Sequence, residues 1–231
     1  MTIHFKAMGR MGLVSVVALC LGLGLGSNAS AQNSSSDLRS RLTNIWSRIV
    51  RDDEDRERSL VSRGPLCVLS PTHLGANTPE IWHDQPVIVW QPGAVAKVSL
   101  AVDSKSPFWE YTPSADETHV IYDGDPLEPG ETYTLGIYAI ENADPTLIPN
   151  FQMVSAETRT LISNELESFS SPNESTVSNA EWTAIQQTEY FVEHDFPYDA
   201  IQALFSVREP SAELLGIQEK MIEKVCTSSQ D

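Results

Sequence analysis

Residues 127–140 read LEPGETYTLGIYAI and combine a turn with the start of an alternating apolar run. Pro129 and Gly130 supply a tight turn, because proline fixes its own φ angle and glycine tolerates the positive φ angle that such turns need. After the turn, Tyr133 opens an alternating apolar pattern that is typical of a strand with one buried face. We therefore expect the ring of Tyr133 to be buried and its hydroxyl to return to an upstream backbone group.

The turn and the strand of residues 127–140 resemble the entry to the sixth strand of fibronectin type III and related immunoglobulin-like domains. The resemblance rests on Leu127, Pro129, Gly130 and Tyr133, which match the tyrosine corner of those domains. It implies an immunoglobulin-like antiparallel β-sandwich. It implies no ligand, because sandwiches of this kind carry many unrelated functions.

The chain around that motif has the pattern of a strand-rich domain. Between residues 66 and 154, short apolar runs are separated by Pro, Gly, Asn and Asp, which predicts strands joined by turns. The predicted strands are 66–69, 87–90, 97–102, 108–111, 119–122, 132–140 and 151–154. Seven short strands at this spacing favour a sandwich domain over residues 64–156. Residues 32–63, ahead of it, form a polar segment with a short helix predicted over 38–50.

Apolar residues take helical spacing after Ser155. The predicted helices are 157–169, 180–194, 198–207 and 211–226. The chain is therefore expected to be α+β, with a helical domain over residues 157–231. The last three helices resemble a degenerate tetratricopeptide unit, and plain packing of three helices is the alternative. We expect this tail to pack on the sandwich, because residues such as Trp182, Phe191, Phe205 and Leu215 carry too much apolar area to stay solvated.

Residues 1–31 have the pattern of a secretory signal peptide. Lys6 and Arg10 precede an apolar stretch, and Ala29-Ser30-Ala31 offers a small-residue cleavage pattern. The apolar stretch is shorter than the roughly 20 residues that a membrane-spanning helix needs. We therefore expect cleavage and no stable membrane span afterwards, with a retained membrane anchor as the alternative.

The charge of the chain narrows its range of partners. The sequence has 32 acidic and 15 basic residues, which gives a formal net charge of −17. A surface of this charge repels phosphate backbones and anionic lipid headgroups. We therefore expect no nucleic-acid partner, and a protein is the kind of partner that the sequence favours.

Several stretches outside the tyrosine motif carry a second resemblance. They are Leu66-Cys67, Ser70-Pro71, Ile81-Trp82, residues 86–91, the turn at residues 126–133 and Tyr198-Asp199-Ala200. Together they are similar to uncharacterised exported cyanobacterial proteins, including the family known as domain of unknown function 928. Those proteins have no established activity. The resemblance therefore implies a bacterial envelope setting, periplasmic or extracellular, and implies no catalytic residues.

Two groups of residues carry side chains that metals favour, and neither group has the spacing of a metal site. The first group is His73, His83 and Asp84, and the second is His119, Asp123 and Asp125. The first matches neither a helical i,i+4 pair nor a zinc pattern. The second lacks the repeated acidic spacing and the closing glutamate of an EF-hand. We expect loop and turn residues here, with no metal and no cofactor.

The sequence shows no known catalytic signature, neither a nucleophile elbow nor a Gly-rich phosphate loop. The leading hypothesis is therefore a non-enzymatic exported binding or scaffolding protein of a bacterial envelope. The alternative is a carbohydrate-associated module or hydrolase accessory that uses exposed aromatic residues. Its candidates are Trp82, Trp90, Trp109 and Tyr111, of which alternation is expected to point Trp90 and one of Trp109 and Tyr111 inward.

Cys67 and Cys226 are the two cysteines that remain once the predicted signal is removed. An oxidising envelope permits them to pair, and the disulfide would join the first strand of the sandwich to the last helix. The alternative is that each cysteine is a small buried apolar residue without a bond.

Overall fold

The structure is a computed structural model that describes residues 40–41, 43–45, 66–72, 78–103, 105–169 and 179–228. The predicted signal peptide, His73 and most of the polar segment lie outside these residues. Residues 40–41 and 43–45 are helical and fall within the helix predicted over 38–50. Among the described helices, none is long and apolar enough to cross a membrane.

Eight strands and four further helices make up the rest of the described chain. The strands are β1 (Val68–Ser70), β2 (Glu80–Ile81), β3 (Val87–Trp90), β4 (Lys97–Val102), β5 (Trp109–Tyr111), β6 (His119–Ile121), β7 (Thr132–Tyr138) and β8 (Asn150–Met153). The helices are α1 (Ala156–Leu166), α2 (Asn179–Glu193), α3 (Pro197–Phe205) and α4 (Ala212–Ser228). The prediction of an α+β chain with C-terminal helices is confirmed.

The strands form two sheets. Sheet A is antiparallel and has the order β1-β3-β6. Sheet B has the order β2-β8-β7-β4-β5, and its one parallel pairing among the described strands joins β2 to β8. The register of β4 on β7 pairs Val98 with Ile137 and Leu100 with Leu135. These four side chains therefore share one face of sheet B.

The two sheets pack face to face around one apolar core. Its largest contributors are no more than 1% exposed, and they are Ile88, Trp90, Leu100, Leu135, Ile137, Phe151 and Met153. Alternation along β3 sends Ile88 and Trp90 into this core and sends Val87 and Val89 to the opposite face of sheet A. Because the opposite face is also covered, all four residues of β3 are apolar and buried.

The helices cover that opposite face of sheet A. Val87, Val89, Cys67 and Leu69 from the strands share a second core with apolar residues of α3 and α4, namely Ile201, Leu204, Phe205, Leu214, Met221 and Ile222. The helical tail thus packs against the sheets, as the sequence predicts. Burying apolar area at about 25 cal/mol per Å² makes this contact worth several kcal/mol before chain entropy is subtracted.

Local sequence signals explain where the helices begin. The Ser155 hydroxyl accepts a hydrogen bond from Thr158 N at the start of α1, and the Ser211 hydroxyl accepts one from Leu214 N at the start of α4. Both are ordinary N-caps. Pro197 stands in the first turn of α3, where its missing N–H costs nothing. N-cap serines and a proline, all visible in the sequence, therefore mark where three helices of the tail begin.

Two expectations about these elements need correction. The sequence predicts seven strands, and the structure adds β2, a two-residue strand that pairs with the distant β8. Leu215 was expected to need burial, yet it is 45% exposed on α4. The other predicted strands move by no more than two residues at either end, and β3 and β4 have the predicted bounds.

Candidate functional sites

Tyr133 forms a hydrogen-bonded corner at the entry to β7. Its ring is buried, and its hydroxyl accepts a hydrogen bond of 2.8 Å from Glu128 N, five residues upstream. Leu127 is buried beneath the turn, and Gly130 takes a φ angle of 80° that a residue with a side chain rarely adopts. Burial raises the pKa of the Tyr133 hydroxyl. The corner fixes the path of β7 and exposes no reactive group.

Helix α3 holds the connection between β2 and β3 through two side chains, Asp199 and Gln202, which we call the helix clamp. Asp199 has no exposed surface. Its carboxylate accepts hydrogen bonds from Trp82 N at 3.0 and 3.1 Å and from His83 N at 3.0 Å. A buried carboxylate is stabilised in this way by several donors at once. The clamp therefore satisfies two partly buried backbone groups of the connection.

Gln202 extends the helix clamp three residues, or about one turn, further along α3. Its side-chain oxygen accepts a hydrogen bond from Val87 N, and its nitrogen donates one of 2.9 Å to Gln85 O. The amide thus pairs with the backbone as a neighbouring strand would. Together the two clamp residues hold the start of β3 against the helices.

The ring of His83 also contacts the helix clamp. Its Nδ1 atom lies 2.6 Å from Asp199 Oδ1, and its ring packs against Trp82 and Phe191. An aspartate beside a histidine nitrogen can orient the imidazole for acid–base chemistry. Here the same aspartate also holds two backbone amides, so the pair serves first to join the β2–β3 connection to α3.

The candidate metal ligands of the sequence are separated in the structure. His83 contacts Asp199, whereas the neighbouring Asp84 forms an ion pair with Arg159. His119 packs edge-on against Phe205, and burial lowers its pKa. Within the described residues, no three side chains of the metal-binding types come together. His73 lies outside those residues.

An aromatic surface lies where β5 of sheet B meets the segment around β6 of sheet A. We call it the aromatic edge and define it by Phe108, Trp109, Tyr111, Glu117 and Asp123. The planes of the Trp109 and Tyr111 rings lie within 6° of parallel, with their centroids 6.1 Å apart. Both rings are partly buried against the core between the sheets, and Phe108 is 48% exposed.

The orientation of Trp109 and Tyr111 corrects an expectation from alternation. Residues two apart on a strand share a face, so Trp109 and Tyr111 point the same way, toward the side of their buried partners Leu100 and Val98. The prediction that one of the two rings points inward and the other outward is therefore wrong. Both rings close the gap between the sheets and keep part of their surface in solvent.

Two carboxylates are fixed at the rims of these rings. The Trp109 Nε1–H donates a hydrogen bond of 2.8 Å to Asp123, and the Tyr111 hydroxyl donates to both oxygens of Glu117, at 3.0 and 3.1 Å. Ser114 N donates to the same Glu117 carboxylate, and these bonds hold its pKa below the usual range. Burial and the bond to Glu117 raise the pKa of Tyr111. The aromatic edge therefore combines flat neutral rings with ionised acids.

A groove of about 700 Å³ lies between the start of α2 and the end of α3. Its lining includes small residues such as Ala180 and Ala203 and charged residues of both signs, Arg208 and Glu209. This mixture selects no particular class of ligand.

Cys67 and Cys226 form a disulfide in the structure, with their Cα atoms 5.7 Å apart. The bond joins the residue before β1 to the last turns of α4. Both cysteines belong to the core between sheet A and the helices. The bond therefore fixes the helical layer to the sheet at its chain-terminal end.

The residues that hold the two layers together give weak signals in the sequence. Asp199 stands two residues after Pro197, in a first helical turn where acidic residues are common for reasons of helix polarity alone. Its partners lie 116 and 117 residues away, and no local pattern encodes such a separation. Glu117 likewise reads as an ordinary turn residue until Tyr111 is placed beside it.

Fold and sites together define an α+β protein in which two sheets pack on each other and C-terminal helices cover the smaller sheet. No family model, curated protein or solved structure matches the chain.

Proposed function

We propose that this chain is a non-enzymatic binding or scaffolding protein of a bacterial envelope, and that the aromatic edge is the surface by which it binds. The observation that carries the proposal is a contrast among the aromatic residues at the core between the sheets. Trp90, Tyr122, Tyr133 and Phe151 are at most 4% exposed. The aromatic edge alone keeps large ring area in solvent there, within the described residues, and exposed aromatic surface is typical of binding sites.

An immunoglobulin-like class for the two-sheet body is part of this proposal. The sheet orders β1-β3-β6 and β2-β8-β7-β4-β5 are those of a sandwich in which three strands of one sheet face a larger sheet. The hydroxyl of Tyr133, near the start of β7, bonds to the backbone upstream as in a tyrosine corner. For the tail, the paired helices α2 and α3 are compatible with a degenerate tetratricopeptide unit and equally with plain helix packing.

An exported location is supported by two independent features. The predicted signal peptide at residues 1–31 would direct the chain out of the cytoplasm. The disulfide between Cys67 and Cys226 is of the kind that forms and persists in oxidising compartments. The resemblance to exported cyanobacterial proteins favours the same setting, periplasmic or extracellular.

A carbohydrate-associated role is the second candidate, and the geometry of the rings favours it. The rings of Trp109 and Tyr111 are nearly parallel, and carboxylates at their rims can accept hydrogen bonds from hydroxyl groups. Flat aromatic surfaces with a few placed polar groups are a common design of small-ligand sites.

Photocrosslinking in the native host tests the proposal. A photoreactive amino acid placed at Phe108 should form a discrete adduct with a protein partner, and the adduct should disappear when Trp109→Ala is added. The matched control is the same photoreactive residue at Leu215, which is similarly exposed but lies on α4. Equal labelling at both positions would overturn the proposal, and an adduct with polysaccharide would favour the second candidate.

A further inference from the structure

We infer that the aromatic edge binds an extended, lysine- or arginine-bearing protein segment, added alongside β5 so that alternate basic side chains rest on Trp109 and Tyr111. The inference rests on the proposed function and names the chemistry of the partner. Three observations carry it: the charge around the rings, the spacing of the rings and the position of β5 in its sheet.

The charge around the rings selects a cation. Residues 105–131 contain seven carboxylates, one lysine and one histidine, and six of the carboxylates are exposed. Burial, and after it the charges of Asp125 and Asp123, raise the pKa of Tyr122, whose ring centroid lies 5.4 Å from that of Trp109. An aromatic face attracts a cation, and nearby carboxylates strengthen the attraction.

The spacing of the rings fits an extended chain. The centroids of Trp109 and Tyr111 are 6.1 Å apart. An extended strand rises about 3.3 Å per residue, so its alternate side chains are roughly 6.6 Å apart on one face. Two basic residues separated by one residue would therefore each meet one ring.

The position of β5 offers the backbone a place to bind. In sheet B, β5 pairs with β4 and is the last strand in the order given by the described residues. An edge strand can accept a further strand through backbone hydrogen bonds, and the side-chain neighbours then set specificity. A segment added to β5 would place its side chains directly beside Trp109 and Tyr111. A neutral saccharide would use the rings and the hydrogen-bonding oxygens of the carboxylates, but it would use neither the backbone of the edge strand nor the excess of negative charge.

A titration followed by the indole N–H resonances of the ¹⁵N-labelled, oxidised chain tests the inference. The ligands are an eight-residue peptide in which arginine alternates with threonine, the same peptide with glutamate in place of arginine, and a neutral β-linked glucose hexamer. The Trp109 resonance, identified by its loss in Trp109→Phe, should shift with the arginine peptide alone. The resonance of the buried Trp90 should stay in place.

Variants distinguish specific binding at the aromatic edge from unspecific attraction of a basic peptide to an acidic protein. Trp109→Ala should weaken binding of the arginine peptide about 10-fold or more, as expected for an aromatic anchor. Asp123→Asn should weaken binding of the arginine peptide several-fold while both rings remain. This variant therefore tests the inference even if Trp109→Ala does not fold. Glu219→Gln is the matched control, because it removes the same charge from an exposed position on α4. Raising the salt concentration from 50 to 500 mM should also weaken binding, in keeping with charge screening over roughly 10 Å or less.

Three results would overturn the inference. One is an equal loss of affinity in Glu219→Gln and Asp123→Asn, which would show unspecific attraction to an acidic protein. Another is a shift of the Trp109 resonance by the glucose hexamer and not by the peptide, which would keep a binding site here but make the ligand a saccharide. The last is an unmoved Trp109 resonance with every ligand. In that case a Trp109-dependent protein adduct in the photocrosslinking experiment would still support the broader proposed function.

Discussion

The side of sheet A that the helices cover differs from the aromatic edge in how far its apolar residues are buried and in which groups its polar side chains bond. On the covered side, apolar residues from strands and helices are buried together, and Asp199 and Gln202 pair with backbone groups of the β2–β3 connection. At the aromatic edge, the rings keep part of their area in solvent and the acids bond to the rims of those rings. Buried polar groups that are fully paired indicate a structural role, whereas exposed aromatic area indicates a surface kept for a partner.

Removing the disulfide, which lies on the covered side of sheet A, should cause the largest loss of stability. We expect the double variant Cys67→Ala with Cys226→Ala to lose about 5 kcal/mol of the free energy of unfolding, because the bond closes a loop with a sequence separation of 159 residues. Denaturant titration measures the loss. Reducing agent should destabilise the parent chain to a similar extent and leave the double variant unchanged. A protease digest without reductant that yields no peptide linking Cys67 to Cys226 would refute the bond itself.

Asp199→Ala should produce the next largest loss. The change leaves the partly buried Trp82 N and His83 N without acceptors. Each unpaired donor costs about 1–3 kcal/mol, so two cost about 2–6 kcal/mol, and we expect a loss near the middle of that range. Asp199→Asn keeps one acceptor oxygen and should lose less. Glu219→Gln on the exposed face of α4 is the control and should change the free energy by less than about 0.5 kcal/mol. A loss as small as the control's would mean that the clamp is not structural.

Tyr133→Phe tests the core between the sheets next to the aromatic edge, because the edge residue Phe108 packs against the Tyr133 ring. The change removes the acceptor of Glu128 N and should cost about 1 kcal/mol in a denaturant titration. Tyr138→Phe is the matched control, since its hydroxyl lies 3.4 Å from Ser99 Oγ, at the long limit of a hydrogen bond. If both variants lost the same free energy of unfolding, the hydrogen bond of the tyrosine corner would contribute no more than an ordinary tyrosine hydroxyl.

Local chemistry explains which parts of this comparison the sequence predicts. The bounds of β3 and β4 follow from unbroken or alternating apolar runs, and Pro197 marks the start of α3. The sequence does not predict the strand β2, because two residues are too few to show an alternating apolar pattern. These residues form a strand because they pair with β8. The helix clamp and the Glu117–Tyr111 bond are missed for a related reason. The packing of the layers brings these residues to their distant partners, and no local pattern predicts that packing. In the sequence alone, Asp199 is explained by its place in a first helical turn and Glu117 by its place in a turn.

His119 tests whether the two regions influence each other, because its strand β6 belongs to sheet A and lies between the edge residues Glu117 and Asp123. Its ring packs against Phe205 on the covered side, while Glu117 of the aromatic edge lies two residues away. Burial lowers the pKa of His119, and the negative charge of Glu117 opposes that shift. An NMR titration of the His119 ring should therefore give a pKa below 6.5. Glu117→Gln should lower the His119 pKa further, and Phe205→Ala should raise it.

The sign of the effect on stability follows from this lowered pKa. As the pH falls below about 6.5, the unfolded chain takes up a proton at His119 before the folded chain does, so the free energy of unfolding decreases. The decrease continues until the pH reaches the folded-state pKa, below which both states are protonated and the His119 contribution is constant. Above pH 6.5 this contribution vanishes. His119→Gln should therefore flatten the loss of stability between neutral and mildly acidic pH. If Glu117→Gln raised the pKa of His119 instead, the aromatic edge would not act on this ring through its charge, and the two regions would be electrostatically separate.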